Sequence, residues 1–142
     1  MVGPFMAETH ETVRIVALAA RERQPELRRQ LAPLGADPVF IERASALWSI
    51  ARESGGFHVA LLPAALPDAD WWVLWGTISL FNPRPAILVY TQSADFRLWS
   101  GVLEAGGYDL IVEPFSDRAI QRAVLRAAAS FEQRRQNEID SE

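Results

Sequence analysis

The chain contains no cysteine and no lysine, and its 142 residues include only two histidines. Without cysteine it has no disulfide, no thiolate nucleophile and no sulfur-ligated zinc site. Without lysine it lacks a Schiff-base amine, a lysine general base and the lysine of a phosphate-binding P-loop. All 14 cationic side chains are therefore arginines. With His10 and His58 as the only imidazoles, a catalytic metal cage would consist almost entirely of carboxylates.

Long apolar runs and an excess of positive charge are also missing. The uncharged run over residues 71–83 contains Gly, Thr, Ser and Asn and is shorter than the about 18 apolar residues that a membrane span needs. A formal net charge of −4 argues against binding to nucleic-acid phosphates. Residues 1–11 lack the basic start and cleavage site of a signal peptide and are expected to form a disordered lead. We therefore expect a cytoplasmic protein that contacts neither a membrane nor nucleic acid directly.

Apolar segments alternate along the chain with segments of helical periodicity. Five short, almost continuously apolar strands are predicted over residues 13–19, 38–42, 57–62, 85–90 and 108–112. Four helices are predicted over residues 25–34, 44–54, 71–81 and 96–105, and a fifth begins after a Ser116 cap. One face of the fifth helix carries Ile120, Val124, Ala127 and Phe131. This alternation predicts an α/β, doubly wound parallel sheet with helices on both faces. Functional groups of such sheets gather at the carboxyl ends of the strands.

Three segments resemble bacterial response-regulator receiver domains, the CheY-like family. Residues 61–70 (LLPAALPDAD) resemble the stretch in which the third strand delivers the phosphoacceptor aspartate. Residues 87–91 (ILVYT) resemble the fourth strand, which ends in a hydroxyl residue, and residues 104–116 (EAGGYDLIVEPFS) resemble the signature EAGAxxYxxKPFS. The resemblance implies a flavodoxin-like, five-stranded parallel sheet with the strand order 2-1-3-4-5. It also implies a cis peptide bond between Glu113 and Pro114.

The side chains that carry receiver chemistry are replaced at almost every matching position. Ala19 and Ala20 stand where an acidic pair would hold a divalent cation, and Pro63 stands where the acceptor aspartate would lie. Glu113 replaces the lysine that pairs with the phosphoryl group, and only Thr91 keeps its residue type. Phosphoryl transfer would lose both its nucleophile and its charge stabilisation. The resemblance therefore implies a degenerate receiver that is not an enzyme and has no metal or other cofactor.

Two features near the carboxyl ends of the predicted strands have alternative interpretations. Asp68 and Asp70 are the nearest carboxylates to the former acceptor position, where they could act as a substitute acceptor or metal ligand, or as a turn residue and a helix cap. Glu113 could pair with Arg21 or Arg23 in the loop after the first strand, or lie solvated at the rim.

Two surfaces are candidates for contact with a protein. The helix predicted over residues 71–81 has no charged residue, and Trp71 and Val73 fall at positions that receivers expose. The chain's own tail could instead cover this helix. In the last helix Arg118, Arg122 and Arg126 form one stripe, which is either a solvated face or a surface that pairs across a two-fold axis with acids such as Asp109.

We expect a receiver-like domain over residues 12–131, followed by a helical extension and acidic tail over residues 132–142. Its expected role is phosphorylation-independent signal transduction in two-component or related bacterial regulation. It would act by contact with a kinase, an output domain or a second copy of itself, as a homodimer. The alternative is a sensor in which a small molecule occupies the space vacated at Ala19, Ala20 and Pro63.

Overall fold

A computed structural model describes residues 13–36, 38–47, 49–50, 56–66, 69–81, 83–92, 96–104 and 108–140. Five parallel strands form one sheet in the order β2-β1-β3-β4-β5: β1 Ile15–Leu18, β2 Val39–Ile41, β3 Val59–Pro63, β4 Ala86–Thr91 and β5 Asp109–Val112. The predicted architecture and strand order are confirmed. Most strands are shorter than the apolar runs that predicted them.

Helices cover both faces of this sheet: α1 Gln24–Leu31, α2 Trp71–Ile78, α3 Phe96–Glu104 and α4 Asp117–Asp140. The helix predicted over residues 25–34 is divided, because α1 ends at Leu31 and a 3-10 turn follows over Ala32–Leu34. Pro33 has no N–H to continue the α-helical ladder, which explains the change of helix type. Gly35 then reverses the chain with a left-handed φ of 72°.

The helix predicted over residues 44–54 begins as a 3-10 turn over Ala44–Ala46. Residues 47, 49 and 50 are helical, and residues 51–54 lie outside the described part of the chain. Between β3 and the next helix the chain forms a short antiparallel hairpin, Ala65–Leu66 paired with Ala69–Asp70. This hairpin was not predicted, since two-residue strands leave no periodic pattern in a sequence.

Alternate residues of the central strands supply two apolar cores, one on each face of the sheet. One face packs against α1 and α4 and buries Ile15, Ala17, Val59, Leu61, Leu88, Leu27, Leu31, Ile120, Val124 and Phe131. The other packs against α2 and α3 and buries Val16, Leu18, Ala60, Leu62, Ile87, Val89, Leu74, Ile78 and Val102. The apolar face predicted for the last helix is therefore its buried face.

The last helix begins as predicted, because the Ser116 hydroxyl accepts a hydrogen bond of 3.0 Å from the backbone N–H of Ala119. It continues to Asp140, past the residue at which the sequence predicts the end of the domain. The lead over residues 1–11 and the final residues 141–142 lie outside the described chain. Among the described helices, none combines the length and the apolar character that a membrane crossing requires.

His58 docks the amino ends of β1 and β3 to this last helix. Its Nδ1 accepts a hydrogen bond of 2.9 Å from the backbone N–H of Arg14, and its Nε2 lies 3.1 Å from Glu132 Oε1. The imidazole also packs edge-on against Phe131, with 5.3 Å between the ring centroids. These contacts give His58 a structural role.

Candidate functional site

The carboxyl ends of β1, β3, β4 and β5 bring together most of the positions that the sequence analysis identified. Pro63 is the last residue of β3, is buried, and pairs in register with Tyr90. The β1–β3 register, continued by two residues, brings Ala19 level with Pro63. Thr91 ends β4 with 9% of its surface exposed, and its carbonyl oxygen accepts a 2.7 Å hydrogen bond from the N–H of Glu113.

The carbonyl oxygens of the two alanines after β1 accept hydrogen bonds from the turn that follows. Ala19 is fully buried, and its carbonyl oxygen accepts a 3.0 Å hydrogen bond from the Gln24 side-chain amide. Ala20 is exposed, and its carbonyl oxygen accepts a 2.9 Å bond from the N–H of Arg23. That bond closes the 3-10 turn over Arg21–Arg23, which carries the guanidinium of Arg23 toward β5.

An ion pair between Arg23 and Glu113 spans the site. The Glu113 side chain is only 12% exposed, whereas that of Arg23 is 36% exposed. Of the two pairings that the sequence leaves open, the one with Arg23 is confirmed. Arg21 instead lies 3.7 Å from Glu42 on the surface. The peptide bond between Glu113 and Pro114 is cis, as the resemblance implies.

Tyr90 lies beneath Arg23, and the pattern of the sequence does not indicate this contact. Its hydroxyl donates a 2.6 Å hydrogen bond to the carbonyl oxygen of Leu18, and the Arg23 guanidinium carbon lies 5.7 Å from its ring centroid. Burial raises the pKa of the phenol, an effect that the nearby Arg23 opposes. A tyrosine inside an otherwise aliphatic strand was the available signal, but periodicity alone does not show what its hydroxyl reaches.

The side chains at this edge do not fit a divalent cation, which prefers several carboxylate oxygens. Ala19, Ala20 and Pro63 supply none, and the Glu113 carboxylate is occupied by Arg23. Within the described residues, no group of three or more histidines and acids is placed to hold a metal ion. Asp68 and the side chain of Asp70 lie outside the described part of the structure.

A cavity of about 530 Å³ adjoins the ion pair on the side of α1, and its lining includes Arg23, Glu26, Gln30, Gln92, Glu113 and Phe115. Gln30 is 4% exposed, and its Nε2 donates a 3.1 Å bond to Asp117. Its Oε1 is buried and has no hydrogen-bond partner among the described residues. The amide of Gln30 is therefore held by Asp117 at the wall of the cavity. Its lining differs from the Ala19, Ala20 and Pro63 set that the sequence predicts.

The neighbouring α1–α4 contact is an exposed charge cluster. Arg29 donates hydrogen bonds to both Glu26 and Asp117, at 2.8 to 3.0 Å. These bonds lower the pKa of both carboxyl groups below their usual values, and the same two partners raise the pKa of Arg29. The cluster fixes α1 against the first turn of α4, beside the cavity.

The candidate interaction residues divide between two surfaces. On α2, Val73 is 56% exposed, whereas Leu74 and Ile78 are buried in the core. Trp71 begins α2, but its side chain lies outside the described part of the structure.

On α4, the side chains of Arg118, Arg122 and Arg126 are all exposed, as their spacing predicts. Leu125 lies among them and is 48% exposed. On β5, Asp109 is half-buried, and its Oδ1 accepts a 2.7 Å bond from the N–H of Leu110.

Comparison with known proteins places the fold. No family model matches the chain, and no curated protein matches its sequence. The receiver domain of sensor histidine kinase PA1611 from Pseudomonas aeruginosa PAO1, solved with a magnesium ion in its active site cleft, is 20% identical with a TM-score of 0.71. That likeness covers 84% of this chain and 99% of the other.

Two further solved structures are similar over 87% of this chain and 99% of their own length, each with 18% identity. One is a CheY-like response regulator receiver domain protein from Methanospirillum hungatei JF-1, with a TM-score of 0.76. The other is the signal receiver domain of an HD domain-containing protein from Pseudomonas fluorescens Pf-5, with a TM-score of 0.75. Together with the strand order, these likenesses show that the chain has the CheY-like, flavodoxin-like fold of response-regulator receiver domains.

Proposed function

We propose that this chain is a receiver-like signalling domain that works without aspartyl phosphorylation and has no catalytic activity of its own. The observation that carries the proposal is the Arg23–Glu113 ion pair. A receiver needs a cation at the position of Glu113 to stabilise the phosphoryl group, and here an acid already paired with an arginine occupies it. Phosphoryl transfer depends on such charge stabilisation. Pro63 in addition offers no nucleophile at the end of β3.

The same ion pair supports a single fixed arrangement of the site. Arg23 belongs to the turn after β1, and Glu113 follows β5, so the pair links two loops that flank β3 and β4. Tyr90 fills the space beneath it and is hydrogen-bonded to β1. A domain fixed in this way would signal through the partners that it binds. We place it in two-component or related bacterial regulation, in the cytoplasm.

Its partner would be a protein, namely a kinase, an output domain or a second copy of the chain. Two surfaces support this part of the proposal. One is the uncharged helix α2 with exposed Val73, and the other is the arginine stripe of α4 with exposed Leu125. Contiguous apolar patches on a folded domain mark contact surfaces, and on α2 the exposed Val73 lies in a helix without any charged residue. Arginine is also enriched at such surfaces.

A phosphotransfer experiment tests the proposal. The protein is incubated with Mg²⁺ and acetyl phosphate, beside a conventional receiver as positive control, and both are measured by intact-mass spectrometry. We expect the phosphoryl adduct in the control only. A phosphorylated carboxylate mapped to Asp68 or Asp70 would contradict the proposal, because these acids would then act as substitute acceptors.

The cavity beside Arg23 favours a second candidate function, a small-molecule sensor. Its volume of about 530 Å³ falls within the range of small-molecule sites. Its lining carries a guanidinium, two carboxylates and two side-chain amides, from Arg23, Glu26, Glu113, Gln30 and Gln92. A few such polar groups orient a bound ligand in small-molecule sites.

A thermal-shift screen against nucleotides and metabolites distinguishes the sensor from the first proposal. A sensor should gain stability at stoichiometric concentrations of one compound, and Gln30→Met should reduce that gain because it removes the amide from the wall of the cavity. A matched Gln92→Met variant changes an exposed side chain at the rim of the same cavity and should retain most of the gain. Failure of every compound to stabilise the wild-type protein leaves the first proposal in place.

A further inference from the structure

A second cavity lies at the opposite ends of the strands from the Arg23–Glu113 pair. Its volume is about 290 Å³, and its lining includes Arg84, Arg134, Arg135, Glu138 and Ser79. Arg84 lies two residues before β4, so this cavity is at the amino ends of the strands. The remaining cationic residues belong to the last two turns of α4. Nothing in the proposed signalling role uses this site.

Aromatic rings and a backbone carbonyl hold the three guanidinium groups in place. The guanidinium carbon of Arg84 lies 5.7 Å from the Trp75 ring centroid, and those of Arg134 and Arg135 lie 5.7 and 5.9 Å from that of Phe131. Arg134 Nη2 also donates a 3.1 Å hydrogen bond to the carbonyl oxygen of Arg84. A guanidinium packed on a ring keeps most of its N–H groups available at its edge.

The positive charge of this cluster is only partly compensated. No ion pair within 4 Å joins any of the three arginines to a carboxylate of the described residues, in contrast to Arg21, Arg23 and Arg29. Among the described residues of the lining, Glu138 is the one acid, so their formal charge is +2. Burial and the neighbouring Arg84 lower the pKa of Arg134, and Glu138 offsets part of that effect. Like charges have therefore been brought together where an anion would stabilise them.

We propose that this cavity binds the phosphate group of a small molecule, or free inorganic phosphate. A phosphate monoester carries close to two negative charges at pH 7, which matches the formal charge of the lining. The planar guanidinium fork also matches the geometry of phosphate oxygens. The volume of about 290 Å³ is far larger than the about 30 Å³ that a water molecule occupies, so it leaves room for a small organic substituent.

Isothermal titration calorimetry of the full chain with inorganic phosphate, at constant ionic strength, tests the proposal. We expect saturable binding, and Arg134→Gln should weaken it by about tenfold or more, because charge-assisted hydrogen bonds are lost. A matched Arg43→Gln variant removes an exposed arginine that follows the carboxyl end of β2. It should bind phosphate as the wild type does. Glycerol 3-phosphate as a second titrant shows whether an organic substituent adds affinity.

Thermal unfolding and a second variant, Arg84→Gln, provide independent tests of the same site. Low millimolar phosphate should raise the thermal unfolding midpoint of the wild type more than sodium chloride of equal ionic strength does, and Arg134→Gln should lose this difference. Arg84→Gln should act in the same direction, so a folding defect in one variant does not remove the test. Equal effects of phosphate and chloride, or unchanged binding in both variants, would overturn the proposal.

Discussion

At the scale of single residues, the site consists of Arg23, its ion-pair partner Glu113 and the ring of Tyr90 on which Arg23 packs. Glu113 is mostly buried and would be costly to leave as an isolated charge, and Arg23 compensates it. Tyr90 supplies the ring beneath Arg23, while its own hydroxyl is satisfied by Leu18. The mostly buried charge of Glu113 at this end of the sheet is therefore compensated by a side chain of the same chain.

A double-mutant cycle of Arg23→Gln and Glu113→Gln measures how strongly these two side chains are coupled. We expect each single variant to lower the free energy of unfolding by about 1–3 kcal/mol, because the remaining polar group is left without its partner. The coupling energy should be about 1 kcal/mol or more, measured by urea unfolding.

The Arg21–Glu42 pair is the matched control, since its side chains are 82% and 48% exposed and its N–O distance is 3.7 Å. An exposed pair of this kind contributes about 0–1 kcal/mol, so Arg21→Gln and Glu42→Gln should show little coupling. Equal coupling in both pairs would mean that the Arg23–Glu113 pair is an ordinary surface contact and does not fix the site.

At the scale of secondary structure elements, α2 and α4 differ in how they present apolar surface. Helix α2 has no charged residue and leaves Val73 exposed beside its buried face. Helix α4 buries Ile120, Val124 and Phe131 and exposes Leu125 among its arginines. Either helix could contact a second copy of the chain.

Sedimentation velocity over a range of protein concentrations distinguishes the two helices. If α4 forms the contact between copies, Arg122→Glu should abolish the concentration-dependent species and Val73→Lys should not; the opposite result would assign the contact to α2. Both substitutions are on the surface and should change the free energy of unfolding by no more than about 0.5 kcal/mol. A wild-type protein that stays monomeric at every concentration would exclude self-association and direct attention to a different protein partner.

At the scale of the whole molecule, the missing residue types simplify the alkaline pH dependence of stability. With no cysteine or lysine, the two tyrosines are the only side chains whose ordinary pKa lies between pH 9 and 11.5. Burial raises the pKa of Tyr90, so the folded state keeps this phenol protonated where the unfolded state ionises it. The contribution of the protonated Tyr90 to the free energy of unfolding is therefore fully present below the unfolded pKa of about 10. It is lost progressively as the pH rises above that value.

We predict that the free energy of unfolding of the wild-type protein is about 2 kcal/mol lower at pH 11.5 than at pH 8 because of Tyr90. The figure follows from a loss of about 1.36 kcal/mol for each pH unit above about 10. Tyr90→Phe should remove that part of the decline, although it should also lose about 1 kcal/mol at pH 8 with the hydrogen bond to Leu18. Urea unfolding at pH 8, 9.5 and 11.5 measures both quantities. Parallel declines in the two proteins would show that Tyr90 ionises equally in the folded and unfolded states.

The features predicted correctly from sequence are those set by local patterns. Apolar runs located all five strands, and the buried face of the last helix followed from Ile120, Val124 and Phe131. The Ser116 cap was likewise visible, because a hydroxyl before a helix satisfies nearby N–H groups. The short hairpin after β3 was missed, since pairing of two-residue strands depends on how the chain is held at both ends.

The sequence by itself determined the order of elements, the parallel sheet and the loss of carboxylates at Ala19, Ala20 and Pro63. It did so because hydrophobic periodicity and side-chain chemistry are properties of the chain at each position. Only the tertiary structure decided that Glu113 pairs with Arg23 instead of Arg21, that Tyr90 reaches Leu18, and that Arg84 joins Arg134 and Arg135. These contacts join residues about 50 to 90 positions apart. Their partners are chosen by the packing of strands and helices, which periodicity does not encode.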